Sequence, residues 1–397
     1  MSQKHTIRER AHALRERLAL ESPHEKSART RPDEDRMEGA LAAKTASDLG
    51  LPFSDVVVIF ACNDYYVPFL SVALQSIKEN ASPHRRYDVV VLSQDLTLHS
   101  MCMLRDQMTT DNIGIGFLDV NRAIGDVRLP QHGHFRTETY YRLLAPELLN
   151  SVDKAIYLDS DLVCLRDVAE LFDTDLKGYL LAATRDADTC GQADGYEPSI
   201  ARYLTDVVGL ADPHDYFQAG VLVLNLAEFR RTHPSAELIE LATSRHWQWL
   251  DQDVLNHVAK GRYRRVPMCW NTLMDWQGLR RTHIIAQTTP EIRAEYEEAR
   301  RLPAIVHYAG PDDRPWQSPN ADQAEFFWAF AADCPYYDEL RDRLRSYRMS
   351  AQGIAKRSQV FMLYKVGMPL FDAVMPAGTR RRKLGIDAYK RAGFELI

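Results

Sequence analysis

Residues 55–93 read DVVVIFACNDYYVPFLSVALQSIKENASPHRRYDVVVLS. Two short runs, 55–62 and 87–93, are apolar at nearly every position, and between them 66–81 repeats its apolar residues at helical spacing. A strand without polar alternation leaves no face for water, so both of its sides are covered. Strand, helix and strand in that order make a parallel pair joined by a crossover helix. The pattern carries on down the chain. It predicts a helix over 96–110, a strand at NIGIGFLDV (112–120), a helix over 137–149 and a strand opening KAIYLDSDLVCLRD (154–167). Further strands follow at GYLLAAT (178–184) and at the start of AGVLVLNLAEFRR (219–231), which then turns helical. QDVLNHVAKG (252–261) reads as a short helix stopped by Gly261, and RLPAIVHYAGPDDRPW (301–316) as a strand running into a turn. The expected class is α/β, with a mostly parallel central sheet. The glycines of GIGFLD (114–119) lie inside a strand and a third is missing, so a dinucleotide fingerprint is rejected.

On either side of this core the texture changes. Residues 1–52 place Ile7, Ala11, Leu14 and Leu18 on one helical face and then pass into a polar, proline-containing linker. This piece holds ten basic and nine acidic residues, so it is no basic arm. The central domain is expected over 53–335, with a helical extension over 336–397. From Ser350 onward nine Lys and Arg face three Asp and Glu, interleaved with VFMLYKVGMPLFDAVM (360–375). Lys365, Pro369 and Asp372 interrupt that apolar run, so it cannot be a spanning helix. It fits either contact with an anionic membrane surface or a tail packed on the domain itself.

A net charge of −6 gives no general attraction to nucleic acid, and no nucleic-acid-binding signature is present. The six cysteines, at 62, 102, 164, 190, 269 and 334, form no C-x-x-C pair. With no apolar signal core at the N-terminus, a cytoplasmic protein with reduced thiols is expected.

Asp159 and Asp161 stand apart from the other four Asp-x-Asp pairs (33/35, 173/175, 186/188 and 251/253). They alone follow one four-residue apolar run directly and precede another. Two carboxylates at the carboxyl end of a buried strand repel each other and are costly to desolvate, unless a cation lies between them. Oxygen ligands suit Mn²⁺ or Mg²⁺. A capped strand-to-helix turn explains the same residues without a metal.

IYLDSDLV (156–163) resembles the acidic segment of glycosyltransferase family eight, the retaining enzymes that include glycogenin and bacterial lipopolysaccharide galactosyl- and glucosyltransferases. Five more segments match in order: 57–77, HFRTETYYRLLAPELL (134–149), DYFQAGVLVLNL (215–226), LDQDVLN (250–256) and IVHYAGPDDRPW (305–316). The resemblance implies a GT-A fold, in which Asp159, Asp161 and His307 hold Mn²⁺, with Mg²⁺ as the alternative. It further implies that Ala61, Asn63, Tyr66, Arg142, Ser160, Gln218, Gly220, Gly310 and Arg314 bind the nucleotide-sugar. Asp251 and Gln252 then lie nearest the chemistry; without the resemblance they read as caps of the following helix. Two positions depart from the family: Asn63 stands where Asp is common, and Gln218 where Asn is usual.

The implied activity is transfer of galactose or glucose from UDP-galactose or UDP-glucose to a glycan or glycolipid acceptor, with retention. The resemblance also implies work at the inner face of the cytoplasmic membrane. Gln252 is a poor nucleophile, so front-face attack is favoured over a covalent route, for which Asp251 is the alternative nucleophile. The alternatives are a glycogenin-like protein that glucosylates itself and a UDP-sugar-binding protein without catalysis. A sugar nucleotidyltransferase would need a glycine-rich turn after the first strand, and FACNDYYVPF (60–69) has none.

Overall fold

The computed structural model describes residues 42–125, 129–130, 137–276, 278–310 and 313–349. The helix expected near 7–18, the linker after it and the basic stretch from 350 lie outside these residues.

Seven strands form the main sheet: β1 (Val56–Ala61), β2 (Tyr87–Ser93), β3 (Ile113–Asp119), β4 (Lys154–Leu158), β6 (Leu181–Arg185), β7 (Phe217–Asn225) and β8 (Tyr263–Arg265). Their order is β3-β2-β1-β4-β7-β6-β8. Three short strands, β5 (Leu162–Cys164), β9 (Thr272–Leu273) and β10 (Ile305–His307), make a second sheet in the order β5-β10-β9. Alternation along β1 explains its wholly apolar sequence. Val56, Val58 and Phe60 enter one core cluster, while Val57, Ile59 and Ala61 enter the cluster on the opposite face. The first cluster includes α1 (Val67–Asn80) and α2 (Leu98–Met108); the second includes α3 (Tyr141–Leu148) and α4 (Leu226–Thr232).

The parallel reading holds for β1–β2, β2–β3, β1–β4 and β6–β8, but β7 runs antiparallel to both β4 and β6. A strand buried on both faces is apolar whichever way it runs, so its composition does not reveal its direction. The reversal matters for position. It brings the first residues of β7 to the same sheet edge as the last residues of β4, with Val221 opposite Leu158.

At the other edge, Ala43 bridges to Leu118, and its amide donates to Phe117 O at 2.7 Å. The glycines inside β3 make this approach feasible. A Cβ at Gly114 would lie 2.7 Å from Leu51 Cδ2, and one at Gly116 2.7 Å from Leu49 Cδ2. Five of the six cysteines are buried, and no disulfide joins any two of them. No described helix is long and apolar enough to cross a membrane.

Candidate active site

Asp159 follows β4 directly, and its amide donates to Gly220 O at 2.8 Å, extending the pairing with β7 by one residue. Asp161 precedes β5, which runs antiparallel to β10 with His307 opposite Leu162. Tyr308 N–H donates to Asp161 O at 2.9 Å. This pairing carries an imidazole across 146 residues of chain. His307 Nε2 lies 3.1 Å from Asp161 Oδ1 and 3.6 Å from Asp159 Oδ2. One ligand atom from each of the three falls within 4.8 Å of the others. Burial alone would push the Asp161 carboxyl up; His307 and Arg314 outweigh it and hold the group down at about 2.

Gly220 supplies the room. A Cβ there would lie 2.3 Å from His307 Cε1 and 2.6 Å from Asp159 Oδ2. Two carboxylates and one imidazole converging at this spacing fit a divalent ion of the Mn²⁺ or Mg²⁺ type.

Arg142 on α3 joins this group to the next. Its guanidinium stacks 4.2 Å over the Tyr157 ring, donates to Asp159 Oδ1 at 2.9 Å and pairs with Asp251 Oδ2 at 2.9 Å. Further hydrogen bonds go to Ala219 O and Thr139 O. Asp251 lies in the first turn of α5 (Leu250–Val258) and is only 3% exposed. Burial pushes its carboxyl up to about 6, against the pull of Arg142 and the hydroxyl of Thr139. Capping of α5 falls to Asp253 instead, whose Oδ2 accepts from Trp249 N–H at 2.7 Å.

Gln252 is held at both ends of its amide. Oε1 accepts from Ala219 N–H at 2.9 Å, and Nε2 donates to Asp186 Oδ2 at 3.2 Å. The Gln218 carbonyl oxygen accepts from Gly220 N–H at 2.5 Å and from Asn271 Nδ2 at 2.6 Å.

The remaining candidates sit on the β1 side. Ser160 donates to Ala61 O at 2.9 Å, tying the end of β4 to the end of β1. Arg314 Nη1 is 3.4 Å from the Tyr66 hydroxyl, and its buried Nε has no hydrogen-bond partner among the described residues. Gly310 follows β10; a Cβ there would lie 2.0 Å from Trp276 Nε1.

Asn63 Nδ2 donates to Glu138 Oε1 at 3.0 Å, and its Oδ1 accepts from Tyr66 N–H at 3.1 Å. This contact gives a physical reason for an amide at a position where an acid is the common choice. Asn63→Asp would set two carboxylates against each other, and is expected to cost about 1–2 kcal/mol of stability, read by urea unfolding.

Sequence reasoning did not find Thr139, Asp186 or Asn271. Asp186 carried only the weak signal of an Asp-x-Asp pair, and Asn271, in CWNTL (269–273), carried none.

With this geometry in place, likeness to known proteins becomes informative. The family described as Glycosyl transferase family 8 matches residues 57–319. General stress protein A of Bacillus subtilis (strain 168) is 25% identical over 275 residues, which cover 66% of this chain and 88% of that protein. The bifunctional glycosyltransferase WbbM in its apo form aligns with a TM-score of 0.67 at 27% identity. That match covers 75% of this chain and 53% of WbbM, so the chain spans about half of that protein's length. The galactosyltransferase LgtC, solved with donor and acceptor sugar analogs, aligns with a TM-score of 0.59 at 26% identity. Here 73% of this chain and 100% of LgtC are covered.

Proposed function

The chain belongs to glycosyl transferase family 8 and has the GT-A fold, and from that premise we propose that it moves galactose or glucose from a UDP-sugar to a sugar hydroxyl with retention of configuration. The observation that carries this reading is the convergence of Asp159, Asp161 and His307 beside the Arg142–Asp251 pair. These three residues would hold Mn²⁺, or Mg²⁺ in its place. When bound, the ion supplies positive charge where the departing diphosphate gathers negative charge.

The chain's own residues do the remaining work. Arg314, with its free buried Nε, is positioned to meet a phosphate oxygen, and Tyr66 and Asn63 flank the nucleoside end. Asp251 and Gln252 border the space where the sugar would lie. Both Asp251 oxygens are engaged and Gln252 carries no carboxylate, which disfavours either as a nucleophile. Asp251 is engaged by Arg142 and Thr139, and Gln252 is an amide anchored to Ala219 and Asp186. That arrangement supports attack by the acceptor hydroxyl on the face UDP leaves from, its proton passing to the departing phosphate. The acceptor we propose is a surface glycan or glycolipid at the inner face of the cytoplasmic membrane, with the basic region from 350 as the membrane contact.

A thermal-shift screen of UDP-sugars with and without Mn²⁺ tests the donor, and NMR of the product tests retention. The expected result is stabilisation by one UDP-hexose only when the metal is present, followed by an α-linked product from the α-configured donor. An inverted anomeric centre would rule out the front-face route. Intact mass after incubation with UDP-glucose separates transfer to an acceptor from self-glucosylation, which would add hexoses to the chain.

A further inference from the structure

Behind the proposed metal ligands runs a chain of hydrogen bonds whose polarity is set by one backbone group. Gly220 N–H can only donate, so the Gln218 atom 2.5 Å away is the carbonyl oxygen. The same oxygen is 2.6 Å from the Asn271 amide, which therefore turns its NH₂ toward Gln218. Asn271 Oδ1 is then left facing His307 Nδ1 at 2.9 Å. An acceptor at that place calls for a proton on Nδ1. A fixed backbone donor at the head of the chain thus sets the orientation of both amides.

We infer that Gln218 and Asn271 are positioning residues which hold His307 in the tautomer with Nδ1 protonated, so that the Nε2 lone pair faces Asp159 and Asp161. The inference rests on the metal reading given above and deepens it. With Nδ1 committed to Asn271, Nε2 is the ring nitrogen aimed at the two carboxylates 3.1 and 3.6 Å away, and a metal arriving there meets its lone pair. Three acceptors aimed at one point repel unless a cation joins them. Partners of this kind orient a metal-bound imidazole and raise its basicity. Burial strengthens the restraint, since His307 is 1% and Asn271 4% exposed, and neither finds water as a substitute. The position of Gln218 also acquires a role of its own. Its carbonyl is spent on Gly220 and Asn271, so the side chain serves the imidazole.

Calorimetric titration of the full chain with Mn²⁺, paired with electron spin echo detection of the imidazole nitrogen coupled to Mn²⁺, tests this. Asn271→Ala and Gln218→Leu are expected to weaken Mn²⁺ binding roughly 10- to 100-fold and to reduce the nitrogen coupling. Gln218→Glu keeps both acceptor contacts, and is expected to bind within about threefold of the parent or more tightly. Melting curves without metal check that each variant is folded. Unchanged affinity in Asn271→Ala, with Asp161→Ala abolishing binding, overturns the relay and leaves the metal site standing. Equal weakening by Gln218→Leu and Gln218→Glu assigns the effect to packing and overturns the relay as well. A parent chain that does not bind Mn²⁺ overturns both.

Discussion

Asp161→Ala is expected to lower kcat/KM for metal-supported sugar transfer by roughly 10³-fold or more, with the thermal midpoint of the metal-free protein shifted far less. Asp161 is one of the three proposed metal ligands, and its oxygen is the carboxylate atom nearest His307 Nε2, at 3.1 Å. Its carboxyl stays charged despite burial because His307 and Arg314 face it. Alanine removes a proposed ligand and also takes away the carboxylate that faces the Arg314 guanidinium. Steady-state UDP release with an acceptor present, measured across a Mn²⁺ titration, reads the effect. Asp159→Ala should behave alike, with an added loss because Arg142 would keep only one of its two carboxylate partners, Asp251. Near-parental turnover in either variant would end the metal assignment.

Gly220→Ala is expected to reduce Mn²⁺ affinity by roughly 100-fold although all three proposed ligand residues are retained. Gly220 lies within β7, and its backbone has no positive φ, so alanine meets no conformational barrier there. The obstacle is space. The added methyl would sit 2.3 Å from the His307 ring and 2.6 Å from an Asp159 oxygen. His307 cannot turn aside without breaking its contact with Asn271, so the ligand atoms must spread. Overpacking of this kind costs about 1–3 kcal/mol in stability. Calorimetry with Mn²⁺ and urea unfolding together decide the matter. An affinity and a midpoint both equal to the parent's would mean that the site opens more easily than its packing suggests.

These two variants also mark how far the amino-acid order could be read. Asp161 was legible because an acidic pair interrupts two buried runs, an expensive placement that needs a reason. His307 was legible only through resemblance. Nothing near it in the chain tells a ligand from an ordinary buried histidine, and its acidic partner Asp161 lies 146 residues away. Gly220 gave no local sign that its missing side chain makes room for His307 and Asp159. Asn271 gave none at all, being a lone asparagine in an unremarkable turn. Gln218 and Asn63 could be marked as departures from the family, but their contacts with Asn271 and Glu138 could not be foreseen.

The same division runs through the fold. Strands β1, β2 and β3 and helices α1 and α2 follow from periodicity, because burial on one or both faces leaves its mark at every second or every third to fourth residue. The direction of β7 leaves no such mark. Periodicity likewise assigned nothing to the helix Pro290–Arg301, whose few buried residues are Ile292, Tyr296 and Ala299.

What the amino-acid order determined unaided was the class of fold, the strand that ends in acid and the apolar runs that build two core layers. These are properties of neighbours in the chain, written in local spacing. Tertiary structure alone decided which end of β7 meets β4, which histidine faces the acidic pair and which amides hold it there. Such contacts join residues dozens to more than a hundred positions apart, and only the packing of the sheets brings them within hydrogen-bond range.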